Sequence, residues 1–105
     1  MNKYTDNFTD ISDEIYKRIA KATEKLDCKP VLICRESNHP EDNNLFVVIA
    51  RYNNTHHSFD NSYVVWNANT FYEEASLFYG HYHISFKSAM EIVADKIRDL
   101  NKERN

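Results

Sequence analysis

Between Val31 and Ile84 the chain breaks four times into short runs of β-branched and aromatic residues, and this repetition restricts its fold more than any other feature. The runs are Val31–Cys34, Leu45–Ala50, Tyr63–Trp66 and Leu77–Ile84. Polar segments rich in turn-forming residues separate them: Ser37 to Asn44, Asn53 to Asn61 and Asn67 to Ser76. Apolar runs of this length between such segments read as antiparallel strands, at about 30 to 35, 44 to 52, 62 to 67 and 77 to 84.

Two helical stripes flank the strands. Ile11, Ile15, Ile19, Ala22 and Leu26 recur every three or four residues, which predicts a helix from about Asp10 to Leu26. Thr9 is its candidate N-cap. Asp10, Asp13 and Glu14 crowd its first turn, with Lys17, Arg18, Lys21 and Lys25 after them, as the helix dipole favours. Pro30 bars its continuation. At the other end Phe86, Ala89, Met90, Val93, Ile97 and Leu100 keep helical spacing. Ser85 is positioned to cap this helix, with Ile84 and Ala89 as a hydrophobic staple, while Ser88 and Glu91 form a competing capping box. The order α-β-β-β-β-α predicts a single α+β domain over residues 1–105. Its expected form is a four-stranded antiparallel sheet with both helices on one face, the other face being left to solvent or a partner.

Composition narrows the function. A single glycine in 105 residues excludes glycine-rich phosphate loops, the nucleophile elbow and the dinucleotide fingerprint together. No catalytic residue is assigned and no cofactor is expected. No apolar run is long enough for a membrane span, and the start MNKYTDNFTD lacks the apolar core of a signal peptide, so a cytoplasmic protein is expected. Cys28 and Cys34 stand six apart, a spacing that matches no zinc knuckle or redox pair, and read as buried thiols. Asn, Lys, Ile, Tyr and Phe are abundant while Gly and Pro are scarce, the pattern of an AT-rich genome such as that of a low-GC bacterium or its phage.

The one glycine stands in LFYGHYHISF, residues 77–86. Inside a strand it marks a bulge or a place where an aromatic ring crosses bare backbone, and Trp66 is the expected ring. Strict alternation assigns Phe78, Gly80, Tyr82 and Ile84 to the core beneath the C-terminal helix, and Tyr79, His81 and His83 to the uncovered face. His81 and His83 on one face would need a third ligand to hold a metal, with His56 or His57 as a source, and no metal site is assigned.

Charge then points to a partner. Residues 36–76 hold six acids against Arg51 alone, a net of −5, and display Tyr52, Phe59, Trp66, Phe71 and Tyr72 among them. Acidic, aromatic loops suit docking on a basic protein surface. The candidate binding residues are therefore Tyr79, His81 and His83, bordered by Phe71, Tyr72, Glu73 and Glu74.

Two resemblances extend this reading. Tyr63-Val-Val-Trp66, a loop, Leu77-Phe-Tyr-Gly-His-Tyr82 and a helix with Ala89 resemble small accessory proteins of phages and mobile elements, the group that includes anti-CRISPR and other anti-defence inhibitors. That resemblance implies a stoichiometric inhibitor of a host nuclease, without chemistry of its own, and carries no residue roles across. Lys29-Pro30, Asn38-His39-Pro40, Phe46 and Ser85-Phe86-Lys87-Ser88-Ala89 are similar to the double-stranded RNA-binding domain, of order α-β-β-β-α. This chain departs from that family in holding only Lys87 where a lysine cluster belongs, and in its acidic insertion from Tyr52 to Ser76. Lys17, Lys21 and Lys25 form the stripe that duplex RNA would touch. The expectation is a non-enzymatic inhibitor from a mobile element, with RNA binding as the alternative.

Overall fold

The computed structural model describes residues 12–35, 44–53 and 61–104. Helix α1 spans Asp13–Glu24, followed by strands β1 (Cys28–Arg35), β2 (Leu45–Tyr52), β3 (Tyr63–Asn69) and β4 (Ser76–Ile84), and then helix α2 (Phe86–Arg104). The four strands form one antiparallel sheet in the order β1-β2-β3-β4, so the element order and the α+β class are those read from the sequence.

The helix ends follow from capping chemistry. Ser12 sits in extended backbone and its Oγ accepts the Ile15 N–H at 3.2 Å, which makes Ser12 the N-cap; Thr9 and Asp10 lie outside the described residues. α1 stops at Glu24, two residues before the expected Leu26, because Asp27 turns the chain with a left-handed φ of 59°. Asn53 then closes this corner, its backbone N–H donating to the Asp27 carbonyl at 2.9 Å and its side-chain amide to the Asp27 carboxylate at 3.2 Å. At α2 the competition between caps resolves in favour of Ser85, whose Oγ accepts the Ser88 N–H at 3.1 Å. Ile84 and Ala89 pack in the same cluster, as a staple requires.

The helices do not share a face of the sheet, which corrects the expected layering. Ile19 and Ala22 of α1 pack with Ile33, Phe46, Val48 and Ala68. Ala89 and Val93 of α2 pack with Leu32, Val47, Ile49 and Val65. Phe46 and Val48 alternate with Val47 and Ile49 along β2, so the clusters lie on opposite faces, and the sheet is sandwiched between the helices. The physical reason is the unbroken burial of residues 46–50 and 64–68: apart from Asn67 these side chains are apolar on both sides of the central strands, and both sides need cover.

The two edge strands are irregular. β1 carries Pro30 and a register shift between Pro30 and Leu32, a position where proline's missing donor is tolerated. β4 carries two shifts, and these shape the candidate site.

Candidate docking surface along the fourth strand

Five residues of β3, Tyr63 to Asn67, stand opposite seven of β4, Phe78 to Ile84. The two extra residues make two bulges, at which Tyr79 (φ 55°) and His83 (φ 57°) adopt left-handed backbone. Neither is glycine, so each conformation costs roughly 1 kcal/mol or more. Each bulge also breaks the simple alternation of faces expected for this strand.

The consequence is clearest around Gly80. A Cβ built there would stand 2.5 Å from the ring and hydroxyl of Tyr82, so the glycine exists to let that ring lie across it. The crossing ring is Tyr82, where Trp66 was expected. The Tyr82 hydroxyl accepts the Trp66 indole N–H at 3.1 Å, on the side of the sheet that carries α1. Tyr82 is therefore no core residue beneath α2; it is 54% exposed and roofs Trp66, which is 2% exposed and not displayed. Ile84 does pack under α2 as expected.

His83 turns to the same side as Tyr82 and stacks on Tyr52, ring centroids 4.9 Å apart. His81 pairs with Val65 on the α2 side, so the two histidines do not share a face. The chelating geometry considered for them is not formed; His56 and His57 lie outside the described residues. Among the described residues no group of three or more His, Cys, Asp or Glu converges as metal ligands. Beneath the Tyr52–His83 stack, burial pushes the Tyr52 phenol above its ordinary range, and the Cys28 thiol beside it adds to the rise, while a hydrogen bond with the His83 backbone opposes it. Cys28 itself is buried and, through desolvation and then the Asp27 carboxylate, pushed up to about 11. A thiol held protonated in this way is a poor nucleophile.

Tyr79 emerges on the α2 side and is the most exposed aromatic of the group at 74%. Lys96 of α2 reaches the buried Asn67 side-chain oxygen, and its ammonium lies 5.8 Å from the Tyr79 ring centroid. The helix thereby steadies a ring that its strained backbone presents to solvent.

The remaining candidates, Phe71, Tyr72, Glu73 and Glu74, occupy the β3–β4 connection, which is bound tightly to α1. Arg18 donates to the Thr70 carbonyl at 2.9 Å and pairs with Glu14 at 3.1 Å, while its own carbonyl accepts the Ala75 N–H at 3.1 Å. Thr70 donates to the Asn44 carbonyl through both its backbone and its hydroxyl, the Asn69 side chain accepts the Phe71 N–H at 2.9 Å, and Glu74 meets Lys25 at 2.5 Å. With the backbone fixed, Phe71 and Tyr72 stand 63% and 68% exposed, rings at 81° and centroids 5.0 Å apart.

The structure thus brings the loop and the edge strand into one continuous margin of the fold, with His83 and Tyr82 on one side of the sheet and Tyr79 and His81 on the other. Sequence reasoning missed Tyr82 as a surface ring and Arg18 as the loop's anchor. The glycine two residues before Tyr82 was the available signal for the first; the Arg18 contact, 52 residues away in sequence, left none. An open hollow of about 520 Å³ lies elsewhere, bounded by Lys29, Pro30, Val31, Arg51, Tyr52 and Asn53, and includes none of the expected binding residues. In comparisons with protein-family models, curated proteins and solved structures, nothing matches this chain.

Proposed function

We propose that this chain is a non-enzymatic binding protein that docks on a protein partner through the β3–β4 loop and strand β4. One observation carries the reading: Phe71, Tyr72, Tyr79 and Tyr82, each more than half exposed, all belong to the β3–β4 connection and the edge strand β4, with Tyr82 on the α1 side of that edge and Tyr79 on the α2 side. Large amphipathic rings supply much of the binding energy in protein interfaces, and rings on a fixed backbone lose little entropy on docking. The acidic loop residues suit a partner with a basic surface. Together with the resemblance to mobile-element accessory proteins, this favours an inhibitor that covers the nucleic-acid-binding surface of a host defence nuclease.

The test is site-specific photo-cross-linking. A benzophenone side chain at position 72 or 79 is expected to capture the same protein from a low-GC bacterial lysate, and the same group at the exposed position 87 to miss it. Capture from position 87 alone, or equal capture from all three, would place the interface elsewhere. The alternative, duplex RNA along Lys17, Lys21 and Lys25, is weakened by the pairing of Lys25 with Glu74. Gel shifts at low salt, where phosphate contacts are strongest, are expected to show no retained RNA.

A further inference from the structure

We infer that the corner formed by Phe71 and Tyr72 receives an arginine side chain of the partner, with Glu73 as its counter-ion. The inference rests on the docking reading above and names the chemistry at its centre.

Ring geometry comes first. The two rings meet edge to face at 81° with centroids 5.0 Å apart, so the edge of one rests on the face of the other and an angle opens beside that contact, and both residues are mainly solvent-exposed. Aromatic faces carry negative potential and attract a cation placed over them, arginine above all, because its planar guanidinium also stacks.

Charge selects the same occupant. Around this corner the Glu14–Arg18 and Lys25–Glu74 pairs cancel within themselves. Glu73 remains, exposed, and among the described residues no cation lies within ion-pair distance of it. An apolar occupant would gain nothing from the charge of Glu73, the residue that follows Tyr72, whereas a guanidinium supplies donors and opposite charge at once. The corner is also built before any partner arrives, because Arg18 and Asn69 hold the backbone at Thr70 and Phe71. The backbone ordering at these two residues is therefore not left for binding to supply.

The experiment is an amide chemical-shift titration of the full chain with a short glycine–arginine peptide and with the same peptide carrying citrulline, which keeps the shape and removes the charge. The arginine peptide is expected to move the amides of residues 71–74, and the citrulline peptide to bind roughly fivefold more weakly. Tyr72→Leu, which keeps apolar bulk but removes the aromatic face, and Glu73→Gln are each expected to weaken the arginine peptide roughly threefold. Equal binding of the two peptides, or arginine-induced shifts that miss residues 71–74, overturns the inference. Either result with cross-linking from positions 72 and 79 intact leaves the docking reading standing without its cation. Charge-dependent shifts at 71–74 with cross-linking lost would do the reverse.

Discussion

The indole N–H of Trp66 donates to the phenol oxygen of Tyr82, and the two rings meet nearly edge to face with centroids 5.9 Å apart. A half-exposed ring on an edge strand thereby closes over a buried one on the neighbouring strand, with Gly80 as the floor that gives it room. Helix α1 covers Ile33, Phe46, Val48 and Ala68 on this face, and side chains complete the cover around Trp66.

Gly80→Ala tests that arrangement directly. The new Cβ would overlap the end of the Tyr82 side chain, which swings aside more readily than backbone. The expected result is a folded protein destabilised by about 1 kcal/mol, the worth of the lost hydrogen bond. Trp66 is the sole tryptophan, so its emission reports the event: it should shift to the red as the indole meets water. Unchanged emission would mean that Tyr82 does not roof Trp66.

At position 79 the usual ranking of alanine over glycine should disappear or reverse. Tyr79→Ala keeps a Cβ at φ 55°, whereas Tyr79→Gly removes the steric penalty, and the relief offsets glycine's greater entropy loss on folding. Chemical denaturation is expected to find the glycine variant as stable as the alanine variant, or more stable by up to about 1 kcal/mol. An alanine variant clearly more stable than the glycine one argues against a bulge there. Both should fold, and both should weaken partner binding by about 2 kcal/mol if the ring is an interface anchor.

Arg18→Ala removes the donor that ties the β3–β4 loop to α1. Hydrogen exchange should accelerate at the amides of Phe71 and Ala75, with an overall loss of about 1 to 2 kcal/mol, because a charged donor leaves a backbone carbonyl. Exchange confined to its original rate in this loop would show that Thr70 and Asn69 hold it without the arginine.

Cys28 predicts a pH dependence with a definite sign. Its folded-state pKa is raised to about 11 by burial and then by Asp27, so from the ordinary thiol range up to about 11 the unfolded chain releases a proton that the folded chain keeps. The contribution is fully present below the unfolded pKa and is lost as pH rises through that window. Stability measured against pH should fall there, and Cys28→Ser should flatten the fall. Iodoacetamide at pH 8 should leave Cys28 unmodified until the protein is unfolded.

Local chemistry was legible in the sequence because it acts over a few residues. The apolar spacing of Ile15, Ile19 and Ala22 placed α1, the spacing of Ala89, Met90 and Val93 placed α2, and the turn-rich segments separated four strands in the observed order. The serine before Phe86 stopped β4 and began α2 through one side-chain oxygen, which any chain with that sequence could do locally. The Leu45–Ala50 run also held a sign of two-sided burial, since a strand with one wet face alternates and this one does not.

Tertiary structure decided the rest. Which helix covers which face depends on how both pack against the whole sheet, and the spacing within each helix is the same whichever face it meets. The orientation of β4 depended on two bulges, and a reading by strict alternation fails once two extra residues enter the pairing with β3: Tyr82 moved out from beneath α2, and His83 left the face of His81. The loop carrying Phe71 and Tyr72 is ordered by Arg18, far away in sequence, and a contact of that kind has no periodicity to betray it. Side-chain spacing records the geometry of a single helix or strand; sidedness, bulges and long-range anchors arise only when those elements meet.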